Sequence, residues 1–234
     1  MAKWKKSKII TLSSILAVLL VGIIVFLCFV PTIQARTEQK KYYNSRVAVF
    51  ELENKEIRTG SQKIDVVFMG DQITESYKLA YHFENVAAVN RGIKGDTVAG
   101  MTKRLKVSAF ELNPKILILQ FGTNGLDKVS KDIEPMLKYI KENLQANVFV
   151  QSILPTSGKY ADRNEKIVEI NKKLEKLAKE YGFVFIDTHL QFYQIDDKEM
   201  TKYYTDDGLT LNSTGYNRLT EFLKPYISQY LNKK

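Results

Sequence analysis

The sequence predicts an α/β protein: a three-layer α/β/α sandwich around a five-stranded, mainly parallel sheet, preceded by one transmembrane helix. Two observations predict the sandwich. From Ile64 onward five short apolar runs alternate with amphipathic stretches, the pattern of strand and crossover helix repeated. Those runs are continuous rather than alternating in hydrophobicity, as strands buried on both faces require. A third observation predicts the helix ahead of it: Ile9 to Val30 carries no charge over 22 residues.

The N-terminal elements come first. "MAKWKKSK" supplies Lys3, Lys5, Lys6 and Lys8 ahead of the apolar run. At about 1.5 Å rise per residue that run spans the roughly 30 Å hydrocarbon core of a bilayer. The lysines place residues 1–8 in the cytoplasm, 9–30 in the membrane as a signal-anchor and the rest outside. A cleaved, secreted form is the alternative; "TIQAR" offers Ile33-Gln34-Ala35 as a mediocre cleavage site, after an apolar run longer than the roughly 7–15 residues of a signal peptide. Cys28, the single cysteine, sits in the apolar run and is a poor lipid acceptor after "VFL", so the exterior domain is held without a disulfide.

Residues 31–60 form a charged, helical lead-in or stalk, broken at Gly60-Ser61. A domain over 61–234 follows, with enough apolar residues (44% of 234 in the whole chain) for one core. Its strands are expected at 64–70, 86–90, 116–122, 147–153 and 183–187. Helices are expected at about 74–83, 97–107, 129–145, 164–181 and 213–231, the fourth with Ile167, Ile170, Leu174 and Leu177 as a core-facing stripe. The formal charge is +9, of which the four leading lysines account for four, leaving +5. That excess suits an anionic surface such as lipid headgroups or wall polymers. No nucleic-acid module is recognisable, and neither a cofactor nor a metal site is expected.

Ligands of such folds sit beyond the carboxyl ends of the strands. There the sequence reads "GDQIT" (70–74), "NRGIKGDT" (90–97), "FGTNG" (121–125) and, before the last helix, "DDGLTLNSTGY" (206–216). Together the four segments resemble the SGNH, or GDSL, hydrolase family, in its acetylhydrolase-like and lysophospholipase-like branch, from about Ile64 to Ile227. The resemblance implies a serine nucleophile, a histidine base, an aspartate three residues before it, and an oxyanion hole. Gly95 and Asn124 match the oxyanion-hole positions, with the backbone N–H of residue 72 as the third donor, and Asp207 matches the aspartate. Gln72 stands at the nucleophile position and Thr210 at that of the base. Gly70, Asp71, Asp96 and Thr123 read as supporting turn residues.

An amide has no useful nucleophilic oxygen and a threonine hydroxyl is no base at neutral pH. By the family mechanism this chain is expected to be catalytically impaired. It then acts as a pseudoenzyme binding an acylated or acetylated envelope glycan or lipid. Two alternatives are an active extracytoplasmic esterase with a recruited base, and a structural partner in an envelope complex. His189, after the fifth strand, is the weak substitute candidate. His82, late in the first helix, reads as packing or surface. Thr74 is expected to cap its helix, and Ser157 to support a turn. In a purely structural role, Asp71 accepts N–H bonds at the start of the first helix and Asn124 ties loops together.

Overall fold

A computed structural model describes residues 2–193 and 200–232, with side chains at Phe26 and from Phe29 onward. The chain forms two compact units, Met1–Ser45 and Arg46–Lys234. Helix α1 is Ala2–Thr59 and contains Pro31. The side chains of most of the apolar run 9–30, and of Cys28, lie outside the described residues. Among the described residues no helix is long and apolar enough to cross a membrane.

In the second unit five parallel strands follow: β1 (Val66–Gly70), β2 (Ala88–Gly92), β3 (Ile116–Leu119), β4 (Asn147–Gln151) and β5 (Val184–Ile186). Their order across the sheet is β2-β1-β3-β4-β5. The register pairs Val66 with Ala88 on one side and with Ile116 on the other. Pleating sends alternate residues to opposite layers. Val67, Met69, Leu117, Leu119, Val148 and Val150 enter one core cluster. Val66, Phe68, Ile116, Ile118 and Phe149 enter the other. The near-continuous apolar runs follow from this double burial.

Two long amphipathic helices, α6 (Leu126–Asn143) and α7 (Asn164–Glu180), cover the first core with the stripe Ile167, Ile170, Leu174 and Leu177 turned inward. The last helix, α9 (Ser213–Leu231), covers the second through Tyr216, Leu219, Leu223 and Ile227.

Two expected helices are each broken in two, for a local reason. In place of 74–83 stand α2 (Gln72–Glu75) and α3 (Leu79–His82). The Asn90 amide on β2 donates to the carbonyls of Thr74 (2.6 Å) and Tyr77 (3.0 Å), taking acceptors that a continuing helix would use. In place of 97–107 stand α4 (Val98–Lys103) and α5 (Leu105–Ser108), with Arg104 turned inward between them. The compact unit also begins earlier than residue 61, because Phe50 and Asn54 at the end of α1 are fully buried. Asn54 accepts from Arg91 (2.7 Å), Glu53 pairs with the same guanidinium, and that guanidinium lies over the Phe50 ring at 4.6 Å.

Candidate active site

The sheet order reverses direction at β1 and β3, and the loops beyond their carboxyl ends hold the candidate site. Chain turns at Asp71, which is 3% exposed. Its Oδ1 accepts the Ile73 N–H (3.0 Å), so Asp71, rather than Thr74, caps α2. The Asn124 amide donates to its Oδ2 (3.2 Å), joining the turn after β1 to the turn after β3. Gly122 lies against the same oxygen so closely that a Cβ there would sit 1.7 Å from Oδ2. Burial pushes the Asp71 carboxyl from 3.8 up to about 7, against the Ile73 N–H and with help from the nearby charges of Asp96 and Glu75.

Gln72 opens α2 and is half-buried. Among the described residues its carboxamide makes no hydrogen bond, so it is not locked into the fold. Thr74, behind it, donates to Gln120 (3.2 Å). Gly95 sits at φ +76°, a conformation that suits glycine, and its loop is anchored by Asp96. Asp96 pairs with Arg104 (2.8 Å) in an ion pair whose two side chains are 2% and 1% exposed. The Arg104 guanidinium also donates to the carbonyls of Gly70 (3.0 Å) and Arg91 (2.8 Å). One buried cation therefore binds together the first two site loops and β2. Thr123 accepts from Arg163 (3.3 Å), which ties down the third loop.

The fourth segment is built around Asp207. Its Oδ1 accepts from the N–H of Leu209 (2.7 Å), the N–H of Thr210 (2.7 Å) and the Thr205 hydroxyl (2.9 Å). Its Oδ2 accepts the Thr210 hydroxyl (2.8 Å). Partial burial pushes this carboxyl up, but the donated bonds outweigh it and hold Asp207 below its usual value. The Thr210 side chain thus meets the aspartate as a hydrogen-bond donor. Tyr216 connects the first and fourth segments: its hydroxyl donates to the Ile73 carbonyl (2.8 Å), and both Asp71 and Asp207 add to the upward push of burial on its phenol.

His189 does not join this arrangement. It is 6% exposed at the start of α8 (His189–Phe192), with Nδ1 on the Ile153 carbonyl (3.0 Å) and its ring stacked on Tyr193. It lines a separate cavity of about 340 Å³ with Phe185 and residues of α7. Burial pushes its imidazole down, while the Ile153 carbonyl and Asp187 push back up. No described contact reaches Gln72 or Asp207, so the substitute-base expectation has no support in its position. Ser157 donates its N–H to the Gly208 carbonyl (3.0 Å), and its buried hydroxyl meets no acceptor or base among the described residues. Among the described residues no group of three His, Cys, Asp or Glu side chains is placed to hold a metal.

Residues 65–218 match the GDSL-like lipase/acylhydrolase family, well over half of the chain. The chain belongs to that family. Solved structures agree on the fold. One is a Streptococcus pneumoniae protein provisionally named a platelet activating factor, 24% identical, with a TM-score of 0.69 over 83% of this chain and 98% of that one. Another is a GDSL-like lipase from Bacteroides thetaiotaomicron, 24% identical, with a TM-score of 0.64 over 75% and 97%. A third is a lipase/acylhydrolase from Enterococcus faecalis, 20% identical, with a TM-score of 0.61 over 71% and 96%. No curated protein sequence matches.

Of the residues that tie these loops together, Arg104 and Gln120 lie outside the four sequence segments, while Asn90 and Tyr216 lie at the ends of two of them without a role assigned from sequence. Arg104 carried the one available signal, a charge inside the otherwise apolar spacing of Val98, Met101 and Leu105.

Proposed function

We propose that this GDSL-family domain is catalytically impaired and binds, without cleaving, an acylated or acetylated molecule of the cell envelope. The observation that carries the proposal is the saturation of Asp207. Its two oxygens accept four hydrogen bonds, one of them from the Thr210 hydroxyl at the base position. No imidazole is available there to take a proton from a nucleophile, and Gln72 offers none. The backbone N–H groups of Gln72 and Gly95 and the Asn124 amide can still meet a carbonyl or carboxylate oxygen. The free Gln72 carboxamide adds a donor and an acceptor beside them. Anchoring by residues 9–30, with the domain on the outer side of the membrane, belongs to the same proposal and rests on the uncharged run and its leading lysines.

Calorimetric titration of the full chain with O-acetylated and unmodified cellotetraose tests this. The acetylated chain is expected to bind and to be recovered intact, with affinity falling about tenfold in Asn124→Ala, roughly the worth of one hydrogen bond to a buried acceptor. Release of acetate, or equal affinity for both sugars, contradicts it.

A further inference from the structure

Immediately beyond the site, two cavities of about 460 Å³ and 370 Å³ share Tyr81 and His82 as a common wall. The first is lined by Ser76, at the end of the helix Gln72 begins, and by Leu211, one residue past Thr210. Lys78 lines it as well, and Lys224 lines the second, where Glu84 is the one carboxylate on the wall. Among the described residues neither lysine has an ion-pair partner. Tyr81 is 69% exposed, a large aromatic ring held edge-on to His82 and otherwise facing solvent.

His82 is fixed in one tautomer by its neighbours. The Thr220 hydroxyl has a single proton, which goes to the Tyr216 carbonyl (2.6 Å), an acceptor only. Tyr77 (2.6 Å) and His82 Nδ1 (2.9 Å) must therefore both donate to Thr220. This leaves Nε2 of the neutral ring as a lone-pair acceptor without a partner among the described residues. Burial, Lys224 and Lys78 all push the imidazole down, in keeping with the neutral form and with a cationic surround.

We propose that this groove binds the anionic sugar or polyol part of the molecule whose acyl group sits at Gln72, a saccharide or polyol chain carrying phosphate or carboxylate groups. An exposed tyrosine face packs against a sugar ring, the Nε2 lone pair accepts a hydroxyl proton, and the two unpaired ammonium groups meet anionic substituents. The inference rests on the binding reading above and deepens it, because the groove starts where the two site segments end.

Titration of the full chain at low salt tests it with four probes: a glycerol phosphate tetramer, a hexuronate tetrasaccharide, neutral cellotetraose and inorganic phosphate. One or both anionic chains are expected to bind at least tenfold more tightly than cellotetraose and than inorganic phosphate, and the two together separate a phosphodiester from a carboxylate preference. The Lys78→Gln/Lys224→Gln variant is expected to lose at least tenfold, and Tyr81→Ala severalfold, with melting temperatures unchanged because these side chains lie at the surface. Equal binding of cellotetraose or inorganic phosphate, or unaltered affinity in the lysine variant, overturns the proposal. Asn124→Ala separates the two readings. If it loses acetyl recognition but keeps anion binding, both stand. If acetyl recognition is absent from the start while the lysine-dependent binding persists, the groove stands and the acyl reading falls.

Discussion

Asp71 shows how a single side chain here serves the fold at a chemical cost. It caps α2 and receives Asn124, but it does so at 3% exposure, and burial raises its pKa from 3.8 to about 7. An unfolded chain releases this proton near pH 4, whereas the folded one holds it to about 7. Between those values the folded state binds the extra proton, so the stability contributed by this group is full below about pH 4 and declines as pH rises to about 7. The span is on the order of 4 kcal/mol. Urea unfolding of Asp71→Asn from pH 4 to 8 is expected to give a flatter profile than the parent; an unchanged slope would show that Asp71 titrates normally. Arg104 makes the opposite case. Removing one partner of a buried pair leaves an uncompensated charge, so Arg104→Met is expected to lose about 3–5 kcal/mol in the same assay, and more than Asp96→Asn combined with it would add. A loss below 1 kcal/mol would mean that the guanidinium does not hold the three segments. The sequence blocks put Asp71, Gln72, Gly95 and Asn124 on loops that follow β1, β2 and β3, and Asp207 and Thr210 on the segment ahead of α9. They did not reveal that Asn124 is spent partly on Asp71, or that Thr210 donates to Asp207, since both depend on side chains meeting across the fold.

Elements legible in the sequence are those whose own periodicity decides them. β1, β3 and β4 are apolar on both faces, and α7 and α9 run close to their expected bounds. The break within 72–82 comes from Asn90 reaching in from β2, which no local pattern announces; the break within 98–108 falls at Arg104, a residue of that stretch itself, which turns inward to Asp96. Much the same holds for the end of α1, which reads as a charged lead-in helix or stalk, while Phe50, Glu53 and Asn54 close over Arg91. Replacing Phe50 with alanine is accordingly expected to destabilise the protein by about 3–5 kcal/mol, as for a fully buried aromatic residue. Chemical denaturation measures it, and a change under 1 kcal/mol would return this part of α1 to the stalk.

At the scale of the molecule, a GDSL-type sheet carries the candidate-site loops, and the proposed function rests on Gln72 and Thr210 standing where a nucleophile and a base would be needed. Two observations bear on the same conclusion from different sides: Gln72 cannot attack, and Asp207 is already satisfied by hydroxyl and amide donors. If the scaffold is otherwise competent, returning the two side chains should return chemistry. The most direct measurement is hydrolysis of p-nitrophenyl acetate by the full chain beside its Gln72→Ser/Thr210→His variant, with Asn124→Ala as background. The account predicts no saturable turnover above that background for the parent, and measurable saturable turnover for the double variant. Saturable turnover by the parent at the level of a working esterase would contradict it.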